Sequence, residues 1–417
     1  MVPLVQLVER LIVVQKVDGS NPPRHPTTNK TMNMKEKSVN GTTYGVGVVS
    51  IGVKAPIVRE GDDVVSIVRQ SIIELPDEFE VKSGDIIGIT ESLIARSQGN
   101  YCTVDDICVN LMRHNNGEKL PIAILYHPIA SRNRFSLILK GIAKASEKVI
   151  VVFPSSKIDE VGNETDAKHR FTGINYSEFY SQLIQECGAE SLIAWEDVVK
   201  FDKLQITEGQ VGGVWVIDCR CHNESTFNTD VVDGQLLRLN DIMSVPTFGS
   251  GYNAEFGVLG SNKASEDKLK LFPRRAETIG IVEDIKSEFK RLLDVDVEVF
   301  VFGDGCFKDP VGGIWEFADP AVCVAYTHGL SGTPNEVKIK NLADDKFANL
   351  HGEELSAAIA AEVKNKKADL KGCMDSQGTT PRRISDLVGS LADLTTGSGD
   401  RGTPIVLIKN YFKNYSD

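Results

Sequence analysis

The chain has 417 residues, 41% of them hydrophobic and 25% charged, and carries a net charge of −12 from 46 basic and 58 acidic residues. Such a length supports two or three domains with real cores. The acidic balance excludes nucleic acid and anionic lipid as default partners, but leaves small anions such as nucleotides open, because backbone amides and a few bases bind them locally.

Residues 4–14 are apolar but broken by Glu9 and Arg10, and they lack a small-residue cleavage site, so they make a poor signal peptide. Residues 1–31 resemble the conceptual translation of a transfer-RNA gene; Met32 or Met34 is the expected start, and no fold is expected before it. The first convincing element is a Val-rich strand over residues 45–51. Pro56 ends it, and Asp62 or Asp63 caps a helix from Val64 whose apolar stripe is Val65, Ile67, Val68, Ile72 and Ile73. After the turn Ser83-Gly84-Asp85, residues 86–90 read as a buried strand ending at Glu91-Ser92, and residues 104–112 as a helix. Beyond the break Asn115-Asn116-Gly117, residues 122–126, 137–145 and 149–153 read strand, helix, strand, which predicts a parallel βαβ pair. Residues 155–175 are polar and loop-like, 176–187 helical, and 214–219 a strand. A helix–strand unit covers 275–302, with Val282, Ile285, Phe289 and Leu292 spaced to face a core. Helices over 353–367 (Leu355, Ile359 and Val363 on one face) and 384–394 precede a closing strand over 403–409. No run of about 18 apolar residues occurs, so neither a membrane span nor a membrane partner is expected, and a cytoplasmic location is.

Three stretches can carry chemistry. The strand Val299-Phe300-Val301-Phe302 stops at Gly303-Asp304-Gly305-Cys306-Phe307-Lys308-Asp309-Pro310. Its glycines let the backbone turn and a ligand approach. A carboxylate there suits a hard cation such as Mg²⁺ bridging to phosphate oxygens; the same aspartate can equally serve only its own turn. Asp304 and Lys308 are the catalytic candidates, and Asp304, Asp309 and Asp400 the candidate metal ligands. In Gly397-Ser398-Gly399-Asp400-Arg401-Gly402, backbone N–H groups can nest a phosphate, Asp400 can hold a cation or a ribose hydroxyl, and Arg401 can neutralise charge. This loop lacks the Gly-Lys-Ser/Thr ending of a Walker A motif, and an ordinary helix-to-strand connection reads the same way. In Gly257-Val258-Leu259-Gly260-Ser261-Asn262-Lys263-Ala264-Ser265, Ser261 and Asn262 can bind a ligand and Lys263 a phosphate, or the stretch is a surface loop capping a helix.

The remaining polar features read as structural. Arg274-Arg275 and Arg382-Arg383 read as solvated helix termini, and His328 as a loop histidine rather than a proton carrier. Eight scattered cysteines, Cys102, Cys108, Cys187, Cys219, Cys221, Cys306, Cys323 and Cys373, read as free thiols rather than a disulfide framework. Cys219-Arg220-Cys221-His222 has no second ligand pair at zinc-site spacing and reads as a strand end.

Five segments occur in the order found in the coenzyme F-420 γ-glutamyl ligase family. Lys54-Ala55-Pro56-Ile57-Val58-Arg59-Glu60-Gly61-Asp62-Asp63 resembles its Gly-Leu-Pro-Leu-Ile-x-Glu-Gly-Asp-Asp. The stretch from Ser83-Gly84-Asp85-Ile86 through Glu91-Ser92-Leu93-Ile94-Ala95-Arg96-Ser97-Gln98-Gly99 looks like its Asp-Gly-Asp strand and Ser-Lys-Ala-Glu-Gly segment. Gly260-Ser261-Asn262 resembles Ala-Ser-Asn, and Phe302-Gly303-Asp304-Gly305 falls where the family has Thr-Asp-Thr. Gly397-Ser398-Gly399-Asp400-Arg401-Gly402-Thr403-Pro404 is similar to Gly-Glu-Gly-Gly-Asp-Gly-Ile-Pro. The likeness covers roughly residues 45–110 and 245–415.

The resemblance implies a mixed-sheet α/β fold of two domains with a βαβ-containing insert. Its expected parts are an N-terminal portion over 45–117, the insert over 118–245 and a C-terminal portion over 246–417. It implies a homodimeric, GTP-dependent enzyme that uses Mg²⁺ or Mn²⁺ and joins a substrate carboxylate to the amine of L-glutamate. Lys54, Pro56, Ile57, Glu91, Ser92, Arg96, Asn262 and the loop Gly397, Ser398, Gly399, Asp400 and Gly402 would hold the nucleotide, and Asp304 the metal. The chain departs from the pattern at three positions. The family lysine is Arg96, its metal aspartate before Ser-Asn is Leu259, and the threonine after the second metal aspartate is Gly305; Asp309, Asp386 or Asp400 could substitute as ligands. The insert has no counterpart and implies an acceptor other than the deazaflavin coenzyme. Two other readings use the same loops: a phosphotransferase that forms no amide, and a nucleotide sensor that turns nothing over.

Overall fold

A computed structural model describes residues 45–159, 162–168, 173–196, 213–220, 235–247, 249–303, 307–308, 315–316, 322–370, 376, 382–397 and 399–417. Strand β1 (Val49–Val53) starts later than its valines suggest. Helix α1 (Val64–Ile73) is capped by Asp63, whose carboxylate accepts from the Ser66 N–H at 3.1 Å. It buries Val64, Val68 and Ile72, a narrower stripe than expected, and leaves Ile73 exposed. Strand β2 (Ile86–Thr90) is buried throughout and runs directly into α2 (Glu91–Ser97), with Thr90 as cap. Next come β3 (Tyr101–Thr103) and α3 (Val104–His114), joined by a capping box between Thr103 and Asp106.

The central stretch holds β4 (Leu120–Tyr126), α4 (Arg134–Lys144), β5 (Ser146–Phe153), α5 (Tyr176–Glu186), β6 (Glu190–Trp195), β7 (Val214–Asp218) and β8 (Gln235–Arg238). Short strands β9 (Ser261–Lys263) and β10 (Lys268–Leu271) follow, then α6 (Arg275–Leu293) and β11 (Glu298–Phe302). On α6, Val282, Ile285 and Phe289 are buried, but Leu292, in the last turn, is exposed. The chain closes with β12 (Phe307–Lys308), β13 (Trp315–Glu316), β14 (Cys323–Tyr326), α7 (Gly352–Lys364), α8 (Ile384–Thr395) and β15 (Ile405–Lys409).

The first sheet has the order β1-β15-β2-β11-β14; only β2 and β11 run parallel, and the other neighbours are antiparallel. Its residues alternate between two cores, as period-2 strands require. Ile87, Ile89, Val299, Val301 and Leu407 pack under α1 and α6, while Ile86, Phe300, Phe302, Val406 and Ile408 pack under α8. The second sheet has the order β6-β5-β4-β7-β8 with every pair parallel. Counted from β4, that is the 3-2-1-4-5 order of doubly wound folds. Its inner strands are apolar runs buried on both faces. Edge strands β6 and β8 are partly exposed, unlike the buried strands between them. A third sheet, β3-β10-β9, is antiparallel. The architecture is thus a mixed α/β fold with several sheets.

Candidate functional site

Register alone gathers four of the singled-out segments at one edge of the first sheet. Val53 at the end of β1 pairs with Ile405 at the start of β15, and the Ala55 N–H donates to the Gly402 carbonyl at 3.3 Å. The turn of residues 54–57 therefore leaves the sheet where the glycine loop enters it. On the other side of β15, Ile405 pairs with Ile89, and the Thr90 N–H donates to the Pro404 carbonyl at 3.0 Å. Parallel pairing then sets Thr90 opposite Phe302. Glu91-Ser92 and Gly303 thus follow neighbouring strand ends.

Each segment is held differently. In the glycine loop the Gly397 N–H donates to the Thr403 hydroxyl at 3.0 Å, and the Gly402 N–H donates to the Gly399 carbonyl at 3.2 Å. Gly402 has φ +61°, the left-handed region where glycine costs least. Asp400 and Arg401 are exposed on this loop; Ser398 lies outside the described residues. In the turn of residues 54–57, Lys54 and Pro56 are exposed, and Ile57 is 82% exposed, an apolar surface beside the loop. Arg96 donates through Nε to the Val58 carbonyl at 3.0 Å, so α2 grips the end of that turn. Asp304 and Asp309 lie outside the described residues, and Lys308 is described only as part of β12, paired with β13.

The fifth segment arrives through the third sheet. Ser261 is buried and donates its hydroxyl to the Val258 carbonyl at 2.6 Å, so it holds its own turn. It starts a strand, not a surface loop, and Asn262 pairs with Lys270 of β10. Lys270 joins this sheet to the first one: its ammonium pairs with the carboxylate of Glu91, the first residue of α2. Both side chains are buried. From the central stretch, Arg134 at the start of α4 donates to the carbonyls of Leu259 at 3.0 Å and Ser261 at 3.3 Å. The Leu259 side chain packs against the core of the central sheet.

Sequence reasoning missed both Lys270 and Arg134. The first had a signal: in Lys268-Leu269-Lys270-Leu271 a lysine alternates with leucines, and a short strand must turn one of the two sets inward. The arginine pairs are engaged in salt bridges near helix starts: Arg274 with Glu277, Arg275 with Glu255, and Arg383 with Asp386, each at 2.7 Å. His328 is exposed in a short turn. Cys219 is buried in the central core; Cys221 and His222 lie outside the described residues.

Among the described residues no group of three His, Cys, Asp or Glu side chains is arranged to hold a metal ion. Of the three proposed ligands, only Asp400 is described, and its carboxylate stands at the surface. The model of the F420-0:gamma-glutamyl ligase family matches residues 52–410. The chain belongs to this family. No curated protein matches it. Membership in the γ-glutamyl ligase family points to ligase chemistry that forms an amide bond. The match runs across the central parallel sheet as well as the two flanking portions. Among the described residues no helix is long and apolar enough to cross a membrane.

Proposed function

We propose that this γ-glutamyl ligase family member is a GTP-dependent, divalent-metal-dependent enzyme. It joins a carboxylate of an acceptor other than the deazaflavin coenzyme to the amine of L-glutamate. The supporting observation is the register that carries residues 54–57, Glu91-Ser92, Gly303 and residues 397–402 to one sheet edge. A carboxylate is a poor acyl donor until phosphorylated, so the reaction passes through an acyl phosphate formed with the γ-phosphate of GTP.

The roles follow from the side chains. Glycine-loop N–H groups other than those of Gly397 and Gly402, which close the loop itself, face the phosphates, and Lys54 and Arg401 add charge. Exposed Ile57 offers an apolar rest for the base. Arg96 keeps the turn in place through the Val58 carbonyl. Asn262 orients the nucleotide by hydrogen bonding, and Ser261 shapes the strand that carries Asn262. Asp304 and Lys308 act at the reacting group, with Asp304, Asp309 and Asp400 as carboxylates able to hold Mg²⁺ or Mn²⁺. Such a cation, when bound, neutralises charge on the phosphates during transfer. Holding the amine of glutamate against the acyl carbon supplies much of the remaining rate. The proposal includes a cytoplasmic homodimer.

The test is phosphate release from GTP with Mg²⁺ or Mn²⁺, with and without L-glutamate, against a panel of carboxylate acceptors and a cell extract. Release that needs both glutamate and acceptor, with product heavier by one glutamyl unit, is expected. Release without glutamate would replace the ligase by a phosphotransferase. Leu259, whose side chain is turned into the core, favours a second reading as a nucleotide sensor; tight GTP binding with no release in any mixture would establish that instead. Asp304→Asn should abolish turnover, and unchanged ligation would remove the metal role from Asp304.

A further inference from the structure

We propose that Lys270 is a phosphate-binding residue, its ammonium supplying a fixed positive charge to the triphosphate of the nucleotide; this rests on the GTP-binding reading above. Lys270 lies on the middle strand of the third sheet, opposite Asn262 across one ladder and Tyr101 across the other. Leu269 and Leu271 point to the opposite face and enter the core of the central sheet. The face bearing Lys270 is polar: it also carries Asn262 and Lys268, whose ammonium sits 5.5 Å over the Tyr101 ring. Lys270 is 6% exposed and its ammonium meets Glu91, 2% exposed, at the strand-end edge where the other segments converge.

A purely structural link between two sheets has no need of this pair. Taking two charges out of water carries a desolvation penalty that apolar side chains of the same volume avoid. An ammonium placed beside an anion-binding edge has a further use. Glu91 is its counter-ion, and an arriving phosphate would share the ammonium with it. The neighbouring segment brings no carboxylate to compete for the ammonium, since Leu259 packs inward and Ser261 bonds its own turn. Lysine serves such sites as a compact point charge.

Guanosine, GMP and GTP would be titrated calorimetrically, with Mg²⁺, into the full-length protein, Lys270→Met and Lys270→Arg, after circular dichroism shows each folded. Lys270→Met should weaken GTP by about tenfold or more, the loss expected for one charge-assisted bond, while guanosine affinity stays within about twofold. Lys270→Arg should recover most of the GTP affinity. Equal losses for guanosine and GTP, or no loss, would make Lys270 an anchor only and overturn the proposal. Should Lys270→Met not fold, Glu91→Gln is compared with Glu91→Gln/Lys270→Met, which removes both charges; the same selective loss of GTP is then required. Wild-type protein that binds no GTP fails before any substitution is made, and that outcome removes the function reading itself.

Discussion

His127 shows how much local chemistry one residue can concentrate. It follows β4 directly with φ 51°, a left-handed conformation uncommon outside glycine. Its ring stacks on Tyr126 with centroids 4.0 Å apart, and Nε2 sits 3.4 Å from a Glu196 oxygen. Glu196 also accepts from the Tyr126 hydroxyl at 2.5 Å, and Arg220 pairs with Asp218 at 2.7 Å beside the same ring. Burial, reinforced by Arg220, holds the imidazole below its usual range against the opposing pull of Glu196. A depressed folded value means the unfolded chain takes up the proton first. The stability from neutral His127 is therefore complete above about pH 6.5 and lost as pH falls through the lower folded value. His127→Asn, which tolerates the same backbone, should flatten the fall in melting temperature between about pH 7 and pH 5. An equally steep fall in the variant would assign the acid sensitivity to other groups. Gly88 makes a steric case. A Cβ there would lie 2.6 Å from the Phe300 ring on the neighbouring strand, deep in the first sheet. Gly88→Val should lower stability by about 1–3 kcal/mol, seen as a shifted denaturation midpoint; no shift would show that Phe300 can swing away. The sequence marks neither contact, since both depend on which strand lies alongside.

Elements were legible where hydrophobic pattern and caps agreed. Asp63 before Val64 predicts α1, and the apolar runs of β2, β4, β5, β7 and β11 predict buried strands. Elements held by neighbours rather than by their own pattern were not legible. β9 is three residues of Ser-Asn-Lys, and β10 alternates lysine with leucine; each becomes a strand because β3 offers a ladder to β10 and β10 one to β9. Helix α4 began earlier than its apolar stripe suggested, and the added turn matters because it opens with Arg134. That side chain is 9% exposed and donates to two carbonyls on the segment leading into β9. Arg134→Met keeps the apolar stem but strips those carbonyls of a charged donor. It should cost about 2–4 kcal/mol, from the usual worth of bonds to charged groups, measured by urea unfolding. A change below about 0.5 kcal/mol would mean that water replaces the guanidinium without loss.

At the scale of the molecule, the order of the five segments was readable, but their meeting place was not. It depends on β15, the last strand, inserting between β1 and β2, and on a parallel pairing between strands some two hundred residues apart. The central sheet poses the corresponding question for stability. Its strands pack Ala123, Leu125, Val149, Val151 and Ile217 into one continuous core with Ile107 and Leu111 of α3 and with Leu269 and Leu271 of β10. The same third sheet carries Lys270 and Asn262 on its other face, so it is held between the central core and the candidate site. Excising residues 118–245 and bridging the ends with a flexible linker would leave α3 and β10 with an apolar face toward water. An exposed face of that kind drives association rather than folding. The excised protein should therefore elute as aggregate and unfold without a cooperative transition. A monodisperse, cooperatively melting product would show instead that the flanking portions close their own core, and that the central sheet is a separable lobe packed against α3 and β10.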